Sequence, residues 1–202
     1  MSTDHGPRYH VGLDLGQSKD FTALCVVECH GKKDKAVFLV RHLKRYELGT
    51  SYPAIVADVV ALLGRLPAQN RKPRLSVDGT GVGAAVVDLF RQQRIPGLRP
   101  VIITGGDQVN EEGGVSRVPK RDLVGVIQVA LQTGRLKIAA ELPEAPLLVS
   151  ELQNFQVKIT TSANDTYGAW REGAHDDLVL AAALAVWDAL NIVEITVVQW
   201  VL

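Results

Sequence analysis

Hydrophobic residues in the first quarter of the chain fall into three β-rich runs. Residues 9–15 and 21–29 are apolar and often β-branched, with polar residues between them, and this pattern predicts a β-hairpin. Residues 36–48 combine apolar and basic side chains in alternation, so they predict a third strand with one basic face. We therefore expect three antiparallel strands at the start of the fold.

The pattern then changes to a helical period and to a βαβ unit. Residues 52–66 have apolar side chains spaced by three and four, which predicts an amphipathic helix that ends before Pro67. Residues 74–78 form a short apolar run that enters a glycine-rich turn, followed by a predicted helix over 84–93 and a strand over 98–104. Parallel strands should therefore follow the antiparallel ones in one mixed sheet flanked by helices.

The second half of the chain is predicted to begin with a long loop. Residues 105–118 have no period, and loops of this length are usually functional or disordered. The elements predicted after it are a helix at 120–133, an extended piece at 135–139, a helix at 145–154, an extra β-hairpin formed by 155–160 and 166–170, and a helix at 178–190. The last helix is apolar on nearly all sides, so it must be buried.

Composition agrees with one packed α/β domain. The chain has 202 residues, 47% hydrophobic and 22% charged, which is enough for one globular core. No segment has the length of a membrane span or the pattern of a secretion signal, so we expect a soluble intracellular protein. Cys25 and Cys29 fall on one face of the second strand with their Cα atoms far apart, and we expect no disulfide between them.

The net charge is zero, but the charges are unevenly distributed. Residues 1–139 contain 20 Lys and Arg against 13 Asp and Glu, whereas residues 140–202 contain 2 against 9. A folded protein can present such a basic part on one surface, so the neutral total does not exclude a polyanionic ligand. Solvated charges without a binding role explain the same distribution equally well.

Acidic residues stand at the ends of three predicted elements. Asp14 ends the first strand, Asp78 ends the strand before the glycine-rich turn, and Asp176 and Asp177 open the buried helix. Such ends meet in one crevice, where clustered carboxylates repel each other unless a cation lies among them. Oxygen ligands favour Mg²⁺ or Mn²⁺ over zinc. Each acid alone is better explained as a turn residue or a helix cap, and only the repetition indicates a site.

Three segments together resemble a known family. They are VGLDLGQSKDFTA at 11–23, SVDGTGVG at 76–83 and GAHDDLVLAA at 173–182. They look like the three acidic motifs of the nuclease domain of the large terminase subunit of tailed bacteriophages, and the resemblance extends over most of the chain. It implies the ribonuclease H-like fold, which Holliday junction resolvases share, and an endonuclease that cleaves double-stranded DNA with two Mg²⁺ or Mn²⁺ ions.

The resemblance also implies roles for individual residues. It makes Asp14, Asp78 and Asp177 the catalytic metal ligands, with Asp20 and Asp176 as neighbours that contribute to the second metal ion. Asp176 and Asp177 are about 100° apart on a helix, so they do not aim equally well at one ion, and Asp177 is favoured. His175 is a candidate for proton transfer or phosphate contact, although a polar residue at a helix start explains it equally well.

Basic residues near these motifs are candidates for phosphate contact. Lys120 and Arg121 lie beside the long loop, and Lys158 and Arg171 lie in the predicted second hairpin, although solvated charges explain them equally well. The implied partners are double-stranded DNA and, within a packaging complex in the host cytoplasm, a terminase small subunit, a portal or a separate ATPase subunit. No membrane partner is expected, because the apolar stretches are too short to span a bilayer. No nucleotide partner is expected, because no Gly-x-x-x-x-Gly-Lys-Ser/Thr segment is present.

The absence of that ATPase motif also bears on domain organisation. We expect an excised domain or a free-standing relative, with a nuclease domain over 1–190 and an apolar tail of unknown role over 191–202. Actin-like sugar kinases and ATPases share the Asp-Leu-Gly and Asp-Gly-Thr-Gly turns, but they need two lobes and about twice this length. A Holliday junction resolvase-like nuclease and an inert DNA-binding packaging module remain open alternatives, because geometry decides activity.

Overall fold

Eight strands form one mixed sheet in the computed structural model, which describes residues 6–16, 20–68, 72–161 and 176–191, with 155–161 described by backbone alone. The strands are β1 (Arg8–Asp14), β2 (Ala23–His30), β3 (Val37–Arg45), β4 (Arg74–Asp78), β5 (Leu98–Thr104), β6 (Asn110–Glu112), β7 (Val115–Pro119) and β8 (Leu136–Ile138). The helices are α1 (Tyr52–Arg65), α2 (Gly83–Gln92), α3 (Lys120–Gln132), α4 (Ala145–Thr161) and α5 (Asp177–Leu190).

The sheet has the order β6-β7-β5-β4-β1-β2-β3-β8. Strands β1, β2 and β3 pair antiparallel, whereas β4 pairs parallel with β1, β5 with β4, β7 with β5 and β8 with β3. The predicted mixed sheet, with its antiparallel first three strands, is therefore confirmed. Strands β1, β3, β4 and β5 all point the same way, so their carboxyl ends meet at one edge.

The pleat of the strands divides the core into two layers. On β1, Val11 and Leu13 face α1 and α2, whereas on β2 the alternate residues Cys25 and Val27 face α3, α4 and α5. Cys25 and Cys29 are both buried as free thiols, as expected. Helices cover both faces of the sheet, and none in the described part of the chain is long and apolar enough to span a bilayer.

Helix α5 lies against the centre of the sheet. Every residue from Asp177 to Ala189 is buried, which confirms the prediction from its apolar sequence. The approach to β1 is close, since a Cβ at Gly12 would lie 1.9 Å from the carbonyl oxygen of Ala181. Only a glycine permits this contact, and the small side chains of α5 complete the packing.

The long loop predicted over 105–118 is largely a β-hairpin, so that prediction is wrong. Strands β6 and β7 pair antiparallel, and Gly113 and Gly114 join them with φ of 59° and 74°. Two residues with positive φ form the tight turn that suits a β-hairpin. The three residues of β6 are all exposed, so this edge strand has no hydrophobic period to reveal it.

The predicted extra hairpin before the last helix is wrong in its first strand. Helix α4 extends to Thr161, so the first strand predicted for that hairpin, residues 155–160, is helical. The apolar residues Leu148, Leu152, Phe155 and Ile159 are spaced by four, three and four, which continues the helical period. The second predicted strand, 166–170, and the tail 192–202 lie outside the described residues.

Candidate metal-binding active site

Two neighbouring parallel strands bring Asp14 and Asp78 to the same edge of the sheet. Leu13 of β1 is in register with Val77 of β4, and the two acids are the next residues along these strands. Because paired strands lie about 4.8 Å apart, the two carboxylates are neighbours. Both acids are buried, with Asp14 7% and Asp78 6% exposed.

The turn after β4 fixes the position of Asp78. Its Oδ1 accepts a hydrogen bond from the backbone N–H of Thr80 at 2.8 Å. A Cβ at Gly83 would lie 2.2 Å from the carbonyl oxygen of Asp78, so this glycine allows α2 to begin directly against the end of β4. Asp78 is therefore both the turn residue and the candidate ligand that its sequence position indicated.

Helix α5 brings the third acid to the pair. His10, Gly12 and Asp14 are every second residue of β1, so they share the face of the strand that packs against α5. Ala181 packs on Gly12, and Asp177 lies four residues, just over one helical turn or about 6 Å, before Ala181. Asp14 lies two strand residues, about 6.7 Å, beyond Gly12 in the same direction, because α5 runs antiparallel to β1. The close contact at Gly12 thus sets Asp177 beside Asp14.

The electrostatics of Asp14 indicate a cluster of carboxylates. Burial raises the pKa of Asp14 well above its ordinary value, and the negative charges of Asp78, Asp177 and Asp176 raise it further. The ammonium of Lys120 opposes this shift. Of the five predicted metal-site acids, Asp78, Asp176 and Asp177 therefore lie within electrostatic reach of Asp14.

The ammonium group of Lys120 places a positive charge beside these carboxylates. Lys120 is the first residue of α3, and its Nζ lies 3.8 Å from Oδ2 of Asp176. Its neighbour Arg121 points elsewhere: the guanidinium donates hydrogen bonds to the side chain and the carbonyl oxygen of Asp107, at 2.6 and 2.7 Å, in the loop after β5. Contact of either residue with DNA phosphates remains a prediction.

Of the other four predicted site residues, only Asp20 has a side chain within the described part of the chain. Asp20 is exposed and lines a small cavity of about 110 Å³ with Thr22 and Glu47. Lys158 is described only as a backbone position in α4, and Arg171 and His175 lie outside the described residues. Their proposed roles remain predictions.

Glu151 is a site residue that the motifs do not contain. It is 4% exposed, and its Oε2 accepts hydrogen bonds from the backbone N–H groups of Leu178 and Val179 at the start of α5. Burial raises its pKa to about 7, and the charge of Asp177 contributes to the shift. The available sequence signal was an acidic residue three positions after Leu148, on the apolar face of α4.

The donor chemistry of the cluster fits a divalent cation. Within the described ranges, no three His, Cys, Asp or Glu side chains are already arranged as ligands of one ion. The clustered donors are nevertheless carboxylate oxygens, which Mg²⁺ and Mn²⁺ prefer, and Asp14, Asp78 and Asp177 are all buried. A cation among them would relieve the repulsion that raises the pKa of Asp14.

Nuclease domains of terminases are among the solved structures that share this fold. The large terminase nuclease from thermophilic phage G20c has a TM-score of 0.57 and 20% identity over 90% of this chain and 82% of that one. The human cytomegalovirus terminase nuclease domain has a TM-score of 0.52 and 18% identity over 95% of this chain and 88% of that one. The large terminase nuclease domain of bacteriophage SPP1, solved with bound Mn, has a TM-score of 0.51 and 13% identity over 89% and 85%.

Similarity at these identities establishes the fold, whereas membership of a family follows from the sequence. No curated protein sequence matches the chain. The family model of the terminase RNaseH-like domain, however, matches residues 11–187, a range that includes Asp14, Asp78 and Asp177 and most of the chain. The resemblance inferred from the acidic motifs is thus confirmed, and the chain belongs to the terminase RNaseH-like domain family.

Proposed function

We propose that the chain is a Mg²⁺- or Mn²⁺-dependent endonuclease that hydrolyses phosphodiester bonds of double-stranded DNA during packaging of a phage genome. The observation that carries this proposal is the convergence of Asp14, Asp78 and Asp177 from β1, β4 and α5 in a chain of the terminase RNaseH-like family. The bound Mn of the SPP1 nuclease domain, which shares the fold, supports the choice of cation.

In this proposal, the chain's own residues hold and orient the reacting groups. Asp14 would be the central ligand, because it is next to Asp78 in the sheet and the contact at Gly12 sets Asp177 beside it. The hydrogen bond from Thr80 fixes one oxygen of Asp78. Two divalent ions held by these carboxylates would supply activation of the attacking water and stabilisation of the leaving oxygen. Lys120 adds positive charge beside Asp176 at the place where a DNA phosphate would approach.

The wider assignments follow from the same proposal. The nuclease domain extends over 1–190, and its partners are double-stranded DNA and a terminase small subunit, a portal or a separate ATPase subunit in the host cytoplasm. Lys158 and Arg171 are proposed to contact phosphates, and such contacts release counterions. Nicking should therefore fall sharply as the salt concentration rises, and less steeply when both residues are replaced by alanine.

Nicking of supercoiled plasmid with Mn²⁺ tests the proposal. Asp14→Asn, Asp78→Asn and Asp177→Asn should each abolish nicking, because each removes a charge that the ions need. Asp88→Asn is the matched control, since Asp88 is an exposed carboxylate paired with Arg91 on α2, and it should nick like the parent. Full activity in all three site variants would refute the site, and DNA binding by an inactive parent would indicate an inert packaging module instead.

A further inference from the structure

The first turn of α5 is held by another helix. The first N–H groups of a helix have no partner within it, so a buried helix start needs acceptors from elsewhere. The side chain of Asp176, at the N-cap, makes no capping hydrogen bond. Instead, Glu151 of α4 accepts from the N–H groups of Leu178 and Val179, at 3.0 and 3.3 Å. Helix α4 thus fixes the turn that carries Asp177.

The same carboxylate faces the edge of the sheet. Nη1 of Arg45 lies 3.8 Å from Oε1 of Glu151. Arg45 is in register with Ala23, and Ala23 is in register with Asp14, so Arg45 lies two strands from Asp14 at the same edge. Glu151 therefore links the sheet edge that carries Asp14 to the helical turn that carries Asp177.

The opposite end of α5 has a separate anchor. Asp188 lies 2.7 Å from Nδ1 of His10 and accepts hydrogen bonds from the guanidinium groups of Arg74 and Arg99, at 2.9 to 3.2 Å. These contacts hold the last turns of α5 on the sheet and do not involve Glu151. Loss of the Glu151 contacts should therefore release the start of α5 and leave the rest in place.

We propose that Glu151 is a positioning residue for Asp177, an inference that rests on the proposed nuclease function. Its side chain reaches across from α4 and holds the first turn of α5, which carries Asp177, at the depth set by the packing on β1. Groups that orient metal ligands without touching the metal change metal affinity by about 10–100-fold. Glu151 should therefore set how tightly the carboxylate cluster binds Mn²⁺.

Two substitutions separate the position of the acceptor from its charge. Glu151→Asp keeps the charge but withdraws the acceptor by one methylene, whereas Glu151→Gln keeps the reach and one acceptor oxygen but removes the charge. Titration calorimetry on the metal-free protein should show Mn²⁺ binding weakened about tenfold or more in Glu151→Asp. Glu151→Gln should bind Mn²⁺ nearly as the parent does. The Mn²⁺ concentration for half-maximal plasmid nicking should change by the same factors.

Val59→Ala is the control for a general loss of stability. Val59 is fully buried in α1, on the other face of the sheet, so its truncation destabilises the fold without contact with α5. Equal weakening of Mn²⁺ binding in Val59→Ala would overturn the proposal. So would parent-like binding in Glu151→Asp, or a loss in Glu151→Gln as large as in Glu151→Asp, which would assign the effect to charge. Absence of Mn²⁺ binding and nicking in the parent would instead refute the proposed nuclease function.

Discussion

Replacement of Gly12 by alanine should move α5 away from β1 and separate Asp177 from Asp14. A Cβ at Gly12 would lie 1.9 Å from the carbonyl oxygen of Ala181 and 2.8 Å from the backbone nitrogen of Ala185, whereas ordinary contact begins at 3.4 Å. Both atoms belong to the backbone, so no rotation of a side chain removes the clash. The helix must withdraw by about 1.5 Å, the difference between 3.4 and 1.9 Å.

The size of the effect follows from that displacement. Overpacking of a core costs about 1–3 kcal/mol, and a clash between backbone atoms of a strand and a helix belongs at the upper end, about 3 kcal/mol. For a chain of this size each kcal/mol lowers Tm by about 2–4 °C, so we expect a decrease of about 6–12 °C. Misplacement of a catalytic group by about 1 Å lowers a rate roughly 100-fold, and nicking should fall by a similar factor.

Thermal melting and plasmid nicking with Mn²⁺ measure the two effects. Gly64→Ala and Gly125→Ala are matched controls, because these glycines lie inside α1 and α3 with open space where a Cβ would be. Alanine should stabilise both helices by about 0.5–1 kcal/mol and leave nicking unchanged. If Gly12→Ala melted and nicked like the parent, the close placement of α5 against β1 would be refuted.

Three further predictions concern charge and metal. Asp188→Asn should lower the free energy of unfolding in urea by about 3 kcal/mol, because the arginines around it lose their buried carboxylate; a change as small as that of Asp88→Asn would contradict this. Asp14→Asn should raise the Tm of the metal-free protein at pH 7. The pKa of Asp14 is raised in the folded state, so Asp14 lowers the free energy of unfolding as the pH rises from 3.8 towards that raised pKa, and asparagine removes this loss. This gain should vanish below pH 3.8, and a constant gain would contradict the assignment. Mg²⁺ and Mn²⁺ should support plasmid nicking, Ca²⁺ should support little, and persistence of nicking in EDTA would exclude metal catalysis.

Elements with a strong hydrophobic period were predictable from the sequence alone. Strands β4 and β5 have the predicted bounds, and the ends of α1 and α5 differ from prediction by a single residue. Strand β6 was missed because its exposed residues have no apolar alternation, although the Gly113-Gly114 pair was an available hairpin signal. The end of α4 was placed too early because Phe155 and Val157 favour strands, whereas the helical period continues through them.

The candidate site likewise has a part that the sequence predicts and a part that it does not. The proximity of Asp14, Asp78 and Asp177 was predictable because each acid stands at the end of an apolar element, and such ends meet in an α/β fold. Glu151 was not predictable as a neighbour of the site, because it lies inside a helix and reaches the start of α5 only through the packing of α4 on α5. Lys120 was expected to contact DNA, and only the structure placed it beside Asp176.

The sequence by itself determined which residues share a face, because the periods of strands and helices are local properties of the backbone. It also determined the order and type of the acidic motifs. Which faces meet was decided by the tertiary structure, through contacts between residues that are distant in the chain, such as His10 with Asp188 and Gly12 with Ala181. The hydrophobic pattern of α5 indicates that the helix is buried, but hydrophobic burial has no direction and does not set its exact position. The depth at which α5 presents Asp177 to Asp14 depends on the steric fit at Gly12.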